Sequence, residues 1–197
     1  MSNSTSLLDS MWLTENLPRC TGSFLFTSLA VLHRRLSPLK MLIHWIVTFF
    51  GNLAGSLFIM ALITGYGGTL SIPTIETTTI NFATTKVVEP GWHQIFLRGV
   101  GANWLVCLAC FLAFMAREYF SKVVAIWWPT FAFVTLAFDH VVANMFFIPA
   151  AIFAGAPELS VGYYVWKSMI PSLIGNIVGG AVFVSIPGRS FWRSSDG

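Results

Sequence analysis

Charge is what this chain has least of. Asp, Glu, Lys and Arg make up 10% of its 197 residues, against about 25% in a soluble domain. So little charge cannot cover a water-facing surface, which excludes disordered chains, nucleic-acid binders and most soluble enzymes. The net charge of +3 is small, and the basic residues never gather into a patch that could track phosphates. Cysteine is scarce too: Cys20, Cys107 and Cys110 give no disulfide framework. Cys107 and Cys110 form a C-x-x-C inside an apolar segment, which reads first as small buried side chains and only second as a redox or metal pair. Also missing are H-E-x-x-H, G-x-S-x-G and phosphate-binding loop patterns, and no two carboxylates share an apolar segment. Ser168 and Ser172 are nucleophile candidates, but nothing in their surroundings marks them. An enzyme, a cofactor and a resident metal are therefore not expected. What is present is apolar: 55% hydrophobic residues and a mean hydropathy of +0.73. This is the composition of an integral membrane protein.

The gaps between charges delimit the spans. Residues 41–66, 99–116 and 168–188 are apolar runs that approach or exceed the ~20 residues needed to cross a bilayer, and none has a polar stripe. Residues 123–157 form a longer apolar stretch interrupted by Asp139 and His140 and carrying Pro129, Asn144 and Pro149. That is the pattern of a broken transmembrane helix whose halves meet near the midplane. Residues 21–33 are apolar but too short for a ~30 Å core at ~1.5 Å per residue, and read as a further half-helix. Residues 1–20 are a polar tail with no basic residue before Arg19, and so not a secretory signal. Residues 189–197 are a second tail. Arg34, Arg35, Lys40, Arg117, Lys122, Arg189 and Arg193 fall on one side if the spans alternate, which makes that side, with the C-terminus, cytoplasmic. Lys86, Arg98 and Lys167 fall on the other. Trp127 and Trp128, beside Lys122, fit an interfacial aromatic belt.

Two apolar segments share a pattern. G-N-L-A-G (51–55) and G-N-I-V-G-G (175–180) each follow a short or interrupted helix. Similar order with opposite entry side suggests an inverted-topology repeat. Two independent small-residue helix contacts are the simpler alternative.

His140 is the leading functional candidate. Ionisable groups at membrane depth are expensive and usually line a pathway, and histidine exchanges a proton near neutral pH. Asn144 shares its face if the segment is helical. Asp139 either orients the ring or ends a half-helix. Asn103 in G-A-N-W-L-V reads as an interhelical hydrogen-bonding residue or an anion donor, and Thr27 in S-F-L-F-T-S as another donor. His33, His44 and His93 lie near span boundaries.

The ordered set N-W-L-V-C-L-A (103–109), Lys122 with Pro129, F-D-H-V-V-A-N-M-F-F-I-P (138–149), L-F-T-S (25–28) and the two G-N motifs resembles the formate/nitrite transporter family, on its fungal side. The resemblance covers roughly residues 21–187. It implies an all-α integral membrane protein, an aquaporin-like bundle with an inverted repeat and broken helices, assembled as a homo-pentamer in the lipid bilayer. The plasma membrane is the expected location. It implies transport of small anions such as formate and nitrite, with protons as a second partner. His140, Asn144, Asn103 and Thr27 match the family's pathway residues. Leu25, and Val106 with Phe133, match its two apolar constrictions, and Asp139 takes a supporting place. Phe24 stands where the family usually has an acidic residue. Members also carry a first helix and half of an interrupted second helix ahead of this region, and residues 1–20 supply neither. The expectation is a shortened chain: either an anion transporter or a non-conducting membrane subunit of the same family.

Overall fold

The computed structural model describes residues 20–32 and 34–185, whose regular elements are all helices joined by turns and short connections, with no strand among them. Helix α1 is Cys20–Leu32. Helix α2 begins at Pro38, with the Ser37 hydroxyl accepting from Lys40 N, and runs to Tyr66, its last part (Ile59–Tyr66) wound as a π-helix. After a 3₁₀ turn, Thr69–Ser71, comes α3, Pro73–Val87. Helices α4 (Trp92–Met115), α5 (Tyr119–Thr135) and α6 (Val141–Phe153) follow. Helix α7 comprises Val161–Tyr164, a π-helical turn Val165–Met169, and Ile170–Ser185. Of the two tails, residues 1–19 and 189–197 lie outside the described residues, and Cys20 already belongs to α1.

Pro38–Tyr66 and Trp92–Met115 are each long and apolar enough to cross a membrane. The outer face of α2 leaves Leu42, Ile43, Val47 and Phe50 about half or more exposed. A face this apolar suits lipid or another apolar helix, not water.

The short helices pack crosswise. Helix α1 lies against α7, and α6 lies against α2, so each half-helix sits on the G-N helix of the other half. Helices α4 and α7 make the most intimate pair. Glycine sets their approach: a Cβ on Gly175 would run into the carbonyl oxygen of Phe96, one on Gly179 into that of Val100, and one on Gly99 would lie 3.0 Å from Ser172 O. On α2 the matching Gly51 and Gly55 have nothing within 4 Å among the described residues. The repeated motif therefore packs differently in the two halves.

Several boundaries differ from the sequence reading. The last span begins at Val161, not Ser168, because Lys167 stays inside the helix: its ammonium donates to Val88 O at 3.4 Å and to the Tyr163 hydroxyl at 3.3 Å. The second span begins at Trp92 and takes in Arg98 for the same general reason, that a single charge does not end a helix. Residues 67–98, which the sequence reading left without an element, contain α3. The broken span is interrupted as expected between α5 and α6, but at neither proline. Pro129 and Pro149 both lie within helices, which membrane helices tolerate when neighbours satisfy the freed carbonyls.

Helix α5 ends in a reverse turn. Ala137 N donates to Val134 O at 3.0 Å and Phe138 N to Phe133 O at 3.1 Å. Ala137 takes φ +52 to allow it. This pair of bonds is a Schellman motif, which normally carries glycine at the left-handed position. The same motif ends α6 with Gly155 at φ +87. A left-handed residue with a Cβ costs about 1–2 kcal/mol, so Ala137→Gly should raise the melting temperature by a few degrees. Thermal unfolding of the detergent-solubilised protein measures it, and a fall would show that the Ala137 methyl is needed there.

Candidate functional site

The break between α5 and α6 spans residues 136–140 and carries both ionisable candidates. His140 is the N-cap of α6: it adopts extended backbone, and its Nδ1 accepts from Ala143 N at 3.3 Å. The cap uses the Nδ1 lone pair, so the neutral ring carries its proton on Nε2 as a donor. The Phe133 ring stacks on the imidazole, centroids 5.7 Å apart and 23° between planes. Asp139 is fully buried.

Two side chains from distant helices hold this break. Lys86, near the end of α3, donates to Ala137 O at 2.7 Å, Phe138 O at 2.8 Å and Asp139 Oδ1 at 3.3 Å. All three ammonium hydrogens are thereby used. Asn176, on α7, donates to Asp139 O at 3.0 Å and Gly99 O at 2.9 Å, and its Oδ1 accepts from Val141 N at 3.0 Å. A helix break buried in the membrane exposes backbone groups that must find partners inside the protein. Lys86 and Asn176 supply them.

The predicted residues distribute as follows. Asn103 is fully buried on α4, and its Nδ2 donates to Asn176 O at 2.6 Å. That is the interhelical role read for it, and Asn103 Oδ1 has no partner among the described residues. Asn144 donates to Asp139 Oδ1 and to Ser168 Oγ, each at 3.3 Å. Its backbone N–H bonds His140 O at 3.0 Å. Asp139, His140, Asn144 and Asn103 are thus joined in one network through Asn176. Thr27 is held elsewhere: its hydroxyl accepts from Trp45 Nε1 at 2.8 Å, with Trp45 edge-on to Phe24. Leu25 packs with Cys107, and both are buried. Val106 and Phe133 are half-buried. Cys110 borders the same apolar cluster as Cys107, and among the described residues no group of side chains could hold a metal ion. Ser172 donates to Ser168 O at 2.6 Å within α7. Trp127 and Trp128 are exposed and stack with Phe131. His33 lies outside the described residues.

Lys86 and Asn176 are the residues that sequence reasoning missed as site residues. Lys86 was counted as a loop charge, whereas the structure buries it with only 7% exposed and pairs it with Asp139. Its signal was a lone lysine ending a threonine-rich segment, which is weak. Asn176 was noted only as half of a repeated G-N, although its near-identical setting to Asn52 hid a different role. Asn52 bonds Thr48 O, on its own helix, at 2.8 Å.

Residues 18–188 match the family model described as formate/nitrite transporter. A probable formate transporter of Methanothermobacter thermautotrophicus is 36% identical over 84% of this chain and 64% of its own length. The transporter YHL008C of Saccharomyces cerevisiae, itself uncharacterised, is 35% identical over 84% of this chain and 26% of its own length. A solved pentameric formate channel with formate bound superposes with a TM-score of 0.71 at 28% identity, covering 78% of this chain and 67% of that one. The chain spans between 61% and 64% of the length of three of the curated relatives it matches. These relatives are named as transporters or channels, in line with the absence of enzyme motifs. By motif order, broken-helix architecture and likeness alike, this chain belongs to the formate/nitrite transporter family of integral membrane proteins.

Proposed function

We propose that the protein lets small monovalent anions of the formate and nitrite kind cross a membrane, with His140 at the centre of the path. The observation that carries this is the buried break itself, where one histidine caps a half-helix and stands in a network of amides. An anion is drawn there by two things: the N-terminal end of α6 and the Nε2–H of the ring. A bare anion cannot cross an apolar constriction without a large desolvation cost. A proton removes that cost: the ring takes one from solvent at Nδ1, giving up its cap on Ala143 N–H, and the imidazolium passes its Nε2 proton to the anion, which leaves the ring neutral again. Asn144 and Thr27 orient the path, and Leu25, Val106 and Phe133 form its apolar narrowings. The name of the solved relative supports a homo-pentamer, and the basic residues flanking the spans support a C-terminus on the cytoplasmic side.

Labelled formate uptake into liposomes holding the purified protein tests this. Uptake above empty liposomes is expected, falling to the empty level in His140→Ala. Uptake unchanged by His140→Ala would sink the mechanism. No uptake at all by the folded protein would favour the non-conducting subunit.

A further inference from the structure

We propose that Asn176 is a positioning residue: it sets the place of the His140 ring by clasping the backbone on both sides of it. The inference deepens the proposed function and rests on it. The two groups flanking His140 in the chain are Asp139 C=O and Val141 N–H. Asn176 takes both, donating 3.0 Å to the first and accepting 3.0 Å from the second. It engages them as a facing backbone strand would. Only a primary amide carries a donor and an acceptor at this spacing; aspartate lacks the donor, and leucine of similar size lacks both.

The second amide hydrogen ties the clasp to a fixed wall. It donates 2.9 Å to Gly99 O of α4, where Gly99 and Gly175 let α4 and α7 approach closely. Asn176's own carbonyl then accepts from Asn103 at 2.6 Å. Glycine packing thus locates Asn176, Asn176 locates residues 139–141, and the Nδ1 cap locates the imidazole on α6. Lys86 grips the preceding carbonyls, at 137 and 138, but reaches neither backbone group adjoining the ring. The two clasps therefore divide the work. Lys86 satisfies the end of α5, and Asn176 aligns the start of α6. The ring's height along the path follows from the second.

Asn176→Leu and the milder Asn176→Ser, each isolated as folded protein and placed in liposomes, test this beside His140→Ala. Formate flux per folded protein should fall by about tenfold or more in the leucine variant, since a misplacement near 1 Å costs that or more. The serine variant should fall less. The ratio of formate to chloride flux should fall as well, because chloride gains nothing from a proton-giving ring. A merely structural role would leave that ratio alone. Folded variants with wild-type flux and ratio would overturn the positioning role, as would failure of both variants to fold. Wild-type flux in His140→Ala would instead overturn the reading of the site itself.

Discussion

Lys86→Met should unfold or disassemble the protein at temperatures the wild type survives. The substitution keeps the length and apolar stem of the side chain and removes the charge. It leaves Asp139, fully buried, without its only ion-pair partner among the described residues. It also frees the carbonyls of Ala137 and Phe138, which Lys86 holds at 2.7 and 2.8 Å. Breaking a buried pair by removing one partner costs about 3–5 kcal/mol, most of it the uncompensated charge left behind. The expected reading is a fall of many degrees in melting temperature, followed by tryptophan fluorescence or by loss of the folded size-exclusion peak. The double variant Lys86→Met with Asp139→Asn removes the stranded charge and should recover a good part of the loss. A single variant as stable as wild type would mean that Asp139 is neutral or that water reaches the break.

Gly175→Val should be nearly as damaging, for a purely steric reason. Its Cβ would drive into Phe96 O, and the α-carbon of Gly99 would lie 3.1 Å away. Backbone cannot swing aside as a side chain can, so α4 and α7 must separate. Overpacking a well-packed contact costs typically about 1–3 kcal/mol, and separation of these two helices also strains the bonds from Asn176 to Gly99 O and Asp139 O. Flux should be lost along with stability. Gly51→Val in the matching motif of α2 meets nothing within 4 Å among the described residues. Melting curves of the two variants side by side settle the comparison, and equal losses would mean that the α2 face is covered in the assembled protein.

The contrast between these glycines shows where reading a sequence reaches its limit. The two G-N motifs are alike in spelling. One presses its glycines against another helix and turns its asparagine onto a helix break, while the other bonds its asparagine to its own helix. Nothing local to either motif distinguishes them, because the difference lies in what packs opposite. Helix ends behaved similarly. Gly155 marks the end of α6 in the ordinary way, but α5 ends on Ala137, whose left-handed backbone has no sequence signal. Lys167 misled the reading because a charge was taken as a boundary when its partners keep it inside a helix.

Composition and the spacing of charges pointed to a membrane protein and to an interruption at Asp139 and His140, while the spelled-out motifs, not composition, carried the resemblance to the family. The first two are properties summed along the chain, and the bilayer reads them as such: burying ~20 apolar residues or breaking a helix with an ionisable pair has consequences wherever the rest of the protein lies. The partners of the break were a matter for tertiary structure alone. Lys86 meets Ala137 across 51 residues and Asn176 meets Asp139 across 37. A hydrogen bond between side chain and backbone at such separation leaves no periodicity and no spacing rule. It exists because glycines let α4 and α7 touch, and because a broken helix in a membrane must satisfy its backbone with whatever the fold brings alongside.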